Sequence, residues 1–233
     1  ISGISNFYFF YMLSILIVIY AVIRFFFIYR EHRVKNFFLC LRNFSGYYLT
    51  GVLLACVVFL PNARALLSSE RFQVDRAFQW FYNIDYYKSL PFNLLSYKMI
   101  KNWTLFGCAA IVIPALLLLF WEWKKHKELV IGFVVLSAFF LSPVIGRVMN
   151  GFSYVSNRWS WGYCFLLAFI LTTMLPDLLK LKKKQIIFLS SGLVCYLMLY
   201  LFLTRKTGID KSLIPSWIIL VITIFVLAVL SVM

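Results

Sequence analysis

Long, uninterrupted apolar runs are the feature that most constrains what this chain can fold into. A helix needs roughly 17 to 25 apolar residues to cross a hydrocarbon layer of about 30 Å. Seven segments approach or meet this requirement: Phe7–Tyr29, Tyr47–Leu67, Thr104–Trp121, Leu129–Ile145, Trp159–Leu175, Ile186–Leu203 and Pro215–Met233. The runs are continuous rather than alternating, which favours helices over the strands of an outer-membrane barrel. The sequence therefore predicts an all-α, polytopic transmembrane helix bundle of about seven spans.

The composition agrees with this prediction. Of 233 residues, 63% are hydrophobic and 13% are charged, whereas a soluble domain is nearer half apolar and a quarter charged. This excludes a soluble enzyme, a disordered tail, a collagen-like fibre and a disulfide scaffold. The five cysteines form no CxxC pair, and we interpret them as reduced, small apolar residues. The net charge of +15 indicates basic loops facing anionic lipid headgroups or an anionic substrate, and not nucleic acid.

The linkers between the apolar segments predict an orientation. Residues 30–46, 122–128 and 177–185 share one face and are short and dense in lysine and arginine, so the positive-inside rule places them in the cytoplasm. The start of the chain is then outside and its end inside. The long linker 68–103 lies outside, and its crowded aromatic side chains predict that it lies on the membrane surface. Because the chain starts without methionine and ends within an apolar run, we expect it to be the middle of a longer protein.

Candidate catalytic groups are few. The chain has no glycine-rich phosphate loop, and His32 and His126 both fall in predicted cytoplasmic linkers, so we predict no histidine-dependent site outside. Asp75 and Asp85 in the outer linker are weak candidates for a general base or a hard-metal ligand. The alternative is that both are solvated partners of neighbouring arginines and lysines. No cofactor is indicated, and a divalent metal is left open.

The stretch 142–161 is the most informative part of the sequence. An interrupted apolar segment is followed by a short outer turn that Arg147 and Arg158 flank. Arginine presents a fixed fork of donors that suits phosphate, while amides and aromatic rings suit a sugar. The alternative is that the two arginines only anchor helix ends at the lipid headgroups.

This stretch also resembles the YfhO family of bacterial polytopic membrane proteins. The resemblance rests on residues 146–154 and 157–160, with further similarity at 3–12, 60–61 and 85–87. It implies a GT-C-like glycosyltransferase, which takes a sugar from a polyprenyl-phosphate carrier and transfers it outside the plasma membrane to a cell-surface polymer such as teichoic acid. Family members are several times longer than this chain.

The resemblance also implies site residues. Those implied to bind donor phosphate and sugar are Asp85, Tyr86, Arg147, Asn150, Asn157, Arg158 and Trp159. Tyr154, a hydrogen-bonding residue of the same turn, is a further candidate for substrate binding. The usual catalytic acid of GT-C enzymes lies in the first outer loop, upstream of Ile1, so we expect this piece alone to be inactive. The expected partners are membrane lipids, the lipid-linked donor and the acceptor polymer. Two alternatives remain: a transporter or flippase for a lipid-linked glycan, and a non-catalytic scaffold of the cell envelope.

Overall fold

A computed structural model describes residues 7–29, 33–68, 79–96, 98–205 and 210–231. These residues are helical apart from connecting turns and one isolated bridge between Ile100 and Thr104, so the all-α prediction is confirmed. The α-helices of the described residues are α1 (Phe7–Ile28), α2 (Arg33–Leu67), α3 (Ile84–Ser89), α4 (Val112–Trp121), α5 (Lys127–Phe139), α6 (Pro143–Met149), α7 (Ser160–Leu178), α8 (Lys183–Thr204) and α9 (Ile214–Leu230). Short 3-10 turns follow α3 and precede α4 and α9.

Several of these helices can cross a membrane. By length and composition, α1, α2, α7 and α8 qualify among the described residues, and α5 with α6 would make a fifth span interrupted near Pro143. Helices α4 and α9 are apolar but shorter. Each of the seven predicted segments therefore contains helix, although only four or five satisfy the requirements for a span. The protein is a polytopic α-helical membrane protein.

The N-terminal basic linker differs from its prediction. Residues 30–46 were expected to form a loop, but α2 begins at Arg33 and continues for 35 residues. Lysine, arginine and leucine are good helix formers, and no proline interrupts the helix before Pro61. At 1.5 Å per residue the helix is roughly 50 Å long, which exceeds the hydrocarbon thickness. Its basic first turns can therefore lie in water while the rest lies in lipid.

The third predicted span is shorter than expected. Helix α4 begins only at Val112, because the preceding backbone is irregular and Gly107 adopts a left-handed conformation with φ of +52°. Residues 112–116, 118 and 119 are all buried. A helix that is apolar on every side is stable inside a bundle, where neighbouring helices cover all its faces.

The chain divides into two compact units. The first comprises Ile1–Trp80 and Ser142–Trp159, and the second comprises Phe81–Leu141 and Ser160–Met233. In the first unit α1 packs against α2 and α6, and Ser14 of α1 hydrogen-bonds Tyr48 of α2 at 2.6 Å. In the second unit α4 is the central helix and packs against α5, α7 and α8.

Close packing of α4 against α8 depends on a glycine. A Cβ added at Gly192 would lie 2.9 Å from Cδ1 of Leu117 and 3.2 Å from its Cδ2. We expect Gly192→Val to lower the free energy of unfolding by about 1 kcal/mol, the lower end of the cost of overpacking, because the half-buried Leu117 side chain can shift to make room. Gly51→Val is the matched control, since a Cβ there meets nothing within 4 Å. Denaturation in detergent measures both, and equal stability of the two variants would contradict this view of the α4–α8 contact.

Candidate functional site

The turn between Arg147 and Arg158, called the outer turn after its predicted side of the membrane, contains a buried asparagine in the first unit. Asn150 is 3% exposed, and its Nδ2 donates to Oγ of Ser153 at 3.0 Å and to the carbonyl of Tyr154 at 2.8 Å. Its Oδ1 accepts a hydrogen bond from the hydroxyl of Tyr8 on α1. These bonds engage both N–H groups of the amide. Asn150 therefore builds the turn and joins it to α1, and its predicted contact with a sugar stays a prediction.

Arg147 is held by the same turn. Gly151 and Phe152 both have positive φ, near +60°, which is uncommon for a bulky residue such as Phe152. The amide of Phe152 donates to the carbonyl of Arg147 at 2.9 Å, and Nε of Arg147 donates to the carbonyl of Phe152 at 3.2 Å. These two hydrogen bonds stabilise the left-handed turn and fix Nε of Arg147. The Arg147 side chain is half-buried.

The block 157–159 separates into buried and accessible residues. Asn157 and Trp159 are fully buried, and Nε1 of Trp159 donates to Oδ1 of Asn157 at 3.4 Å. Arg158, between them, is half-buried, as is Tyr154. The buried pair fixes the backbone on both sides of Arg158. Of this predicted block, Arg158 is thus the side chain that a ligand could reach.

In the second unit, Asp85 and Tyr86 occupy the first turn of α3. Asn83 caps this helix, and the Asp85 side chain is 62% exposed with its carboxylate 3.9 Å from Nζ of Lys88. Tyr86 is 2% exposed and stacks on Tyr82 with ring centroids 4.1 Å apart. A ligand could therefore contact Asp85, whereas the Tyr86 ring mainly packs against Tyr82. The other predicted acid, Asp75, lies outside the described residues.

A groove of about 440 Å³ contains Asp85 and was not predicted as a site. Its charged lining residues are Asp85, Lys88, Lys98 and Asp210, and the buried rings of Phe92 and Tyr200 form part of its wall. Nζ of Lys98 lies 3.4 Å from Oδ1 of Asp210, across 112 residues of sequence. In the sequence, the only indication of this ion pair is that both residues lie in linkers predicted on the same face of the membrane.

The two carboxylates of the groove differ in their surroundings. Oδ1 of Asp210 accepts hydrogen bonds from the hydroxyl of Ser212 at 2.7 Å and from its amide at 2.9 Å. These bonds, with a smaller contribution from Lys98, hold the pKa of Asp210 below its usual value. A carboxylate stabilised in this way is a weak base that orients the lysine. Of the two side chains, that of Asp85 is the more exposed, at 62% against 46%.

Comparison with known proteins shows the family of the chain. The family model described as "Bacterial membrane protein YfhO" matches residues 1–233. The chain belongs to the YfhO family. The resemblance expected from the outer turn is thereby confirmed.

A curated YfhO relative gives the scale of the match. The chain is 27% identical over 215 residues to "Uncharacterized protein YfhO" of Bacillus subtilis (strain 168). The match covers 89% of this chain and 22% of the relative, so the chain spans about a fifth of that protein's length. No solved structure matches the chain significantly.

Proposed function

We propose that this chain is part of a membrane glycosyltransferase that moves a sugar from a polyprenyl-phosphate carrier to a cell-surface polymer such as teichoic acid. The observation that carries the proposal is the groove, in which two carboxylates and two lysines meet. Membership of the YfhO family is consistent with it.

The chemistry of transfer needs both kinds of charge. A carboxylate accepts the proton of the acceptor hydroxyl, the acceptor oxygen forms a bond to the anomeric carbon, and the bond from that carbon to the carrier phosphate breaks. The phosphate leaves with the electron pair and gains negative charge, which a nearby cation stabilises. In the groove, Asp85 suits the first task, while Lys88 and Lys98 suit the second.

The outer turn offers a second set of cations. We assign Arg147 and Arg158 to binding donor phosphate, since a guanidinium can donate two parallel hydrogen bonds to phosphate oxygens. The buried Asn157 and Trp159 hold the backbone of Arg158 in place, and the hydrogen bonds with Phe152 hold Arg147. Both lower the entropy lost on binding. Tyr154 is assigned to contact with the sugar.

The test is a transfer assay with the intact protein. Membranes from a strain lacking the gene, with and without the protein restored, receive a radiolabelled sugar on polyprenyl phosphate and the acceptor polymer. We expect label in the polymer only when the protein is present. If the protein moves the donor between membrane faces without labelling the polymer, it is a flippase and the proposed transfer is wrong.

The orientation in the plasma membrane is tested separately. Single cysteines replace Phe152 and Lys183 in a background without native cysteines. Both positions are exposed, whereas Ser153 is only 7% exposed and would label poorly. We expect an impermeant maleimide to label position 152 in whole cells and position 183 only after the cells are opened, because short basic linkers stay inside. The reverse pattern would invert the topology.

A further inference from the structure

Three helix ends meet at a mixed cluster of charged side chains in the second unit. Glu122 ends α4, His126 precedes α5, and Asp177 lies near the end of α7. Each offers one potential metal-ligand atom, and these atoms all lie within 4.8 Å of one another. All three residues are half-buried.

The histidine supplies an independent sign of a ligand. Nε2 of His126 is buried, and no residue within the described part of the chain gives it a hydrogen-bond partner. A buried polar atom without a partner is costly and calls for an explanation. An imidazole nitrogen in its neutral form is a common metal ligand, and a bound cation would satisfy this atom.

The two carboxylates already share a cation. Nζ of Lys125 lies 3.2 Å from Oδ2 of Asp177 and 3.5 Å from Oε2 of Glu122. Gln185 at the start of α8 donates to Oε1 of Glu122 at 3.1 Å, which orients that carboxylate from outside the cluster. The Lys125 side chain is 62% exposed, so its ammonium can turn into water without loss of core packing.

We propose that Glu122, His126 and Asp177 bind a divalent cation of the zinc class, which replaces the ammonium of Lys125. One imidazole nitrogen and two carboxylate oxygens suit zinc, whereas magnesium and calcium prefer oxygen alone. Zinc–ligand bonds of about 2.0–2.2 Å place tetrahedral ligands roughly 3.3 Å apart, so modest side-chain movements close the site. Water or another small ligand completes the coordination.

Such an ion would hold the bundle together at one end. It would link α4, the start of α5 and α7 directly, and α8 through Gln185. Gln185 would then act as the outer partner that fixes a metal-ligating carboxylate. This role does not depend on the proposed sugar transfer.

Zinc binding to the purified intact protein tests the proposal. After chelator treatment and desalting, metal content and competition with a chromophoric zinc chelator are measured for wild type and variants. We expect His126→Ala to lose about one zinc per chain and to weaken binding at least about tenfold. His32→Ala, at the other of the two histidines in these 233 residues, is the matched control and should bind as wild type does.

The variant Lys125→Met distinguishes a metal site from a simple ion pair. Removing the competing ammonium should tighten zinc binding, and zinc should raise the melting temperature of this variant and of wild type but not of His126→Ala. The proposal is overturned if wild type binds no zinc, if His126→Ala binds it equally well, or if Lys125→Met weakens the binding.

Discussion

Asp85→Asn in the intact protein is expected to lower sugar transfer by about 10²- to 10⁴-fold, the usual contribution of a general base. The amide keeps the shape of the side chain but cannot accept the proton of the acceptor hydroxyl. Asp85 lies at the groove with Lys88 and Lys98, and its side chain is 62% exposed. The measurement is the initial rate of polymer labelling in membranes, normalised to the amount of inserted protein.

Two further acid variants sharpen this test. Asp210→Asn should have a smaller effect, since Asp210 is engaged with Ser212 and positions Lys98 rather than receiving a proton. Glu128→Gln, in the first turn of α5 and outside the groove, is the control that should retain wild-type activity. Wild-type transfer by Asp85→Asn would remove this residue as the base. If Asp75→Asn alone then abolished transfer, the base would be Asp75.

Arg158→Lys is expected to reduce transfer by about ten- to a hundredfold. A charge-assisted hydrogen bond is worth about 1.5–3 kcal/mol, and each 1.4 kcal/mol corresponds to a factor of ten. Lysine keeps the charge but loses the fork that binds two phosphate oxygens. Because Asn157 and Trp159 are fully buried on either side, the backbone should hold its position in the variant.

The alternative role of Arg158 makes the opposite prediction. If Arg158 only anchors a helix end at the headgroups, lysine reaches the same depth and transfer should be unchanged. Arg205→Lys, just after α8, is the matched control, since that side chain is exposed and lies outside the groove and the outer turn. Wild-type rates for both variants would leave Arg147 as the remaining phosphate ligand of the outer turn.

Most of the helical organisation could be predicted from the apolar runs. Within lipid every backbone polar group needs an internal partner, so a long apolar segment has few alternatives to helix. The predicted helix boundaries are wrong where the polarity and length of a segment do not specify its conformation. Arg33 to Gly46 is basic enough to suggest a loop, yet it contains no proline and forms the first turns of α2. The first residues of the third segment are apolar but adopt an irregular backbone around Gly107.

The candidate site was predicted less completely. The sequence indicated the outer turn and Asp85. It also predicted Asn157 and Trp159 as ligand contacts; the structure buries both side chains, and their contact with a ligand stays a prediction. The ion pair between Lys98 and Asp210, which are 112 residues apart, could not be predicted from the sequence. The same is true of the cluster formed by Glu122, His126 and Asp177. No local pattern encodes such meetings.

The sequence by itself determined the fold class, the membrane environment and the family of this protein. These properties depend on local hydrophobicity and on short motifs, which are complete within one segment of chain. Only the tertiary structure decided which polar side chains pack inside a turn, which share a groove, and which converge at the helix ends. Those outcomes depend on how helices such as α4, α7 and α8 pack, and that packing results from many weak contacts between residues distant in sequence.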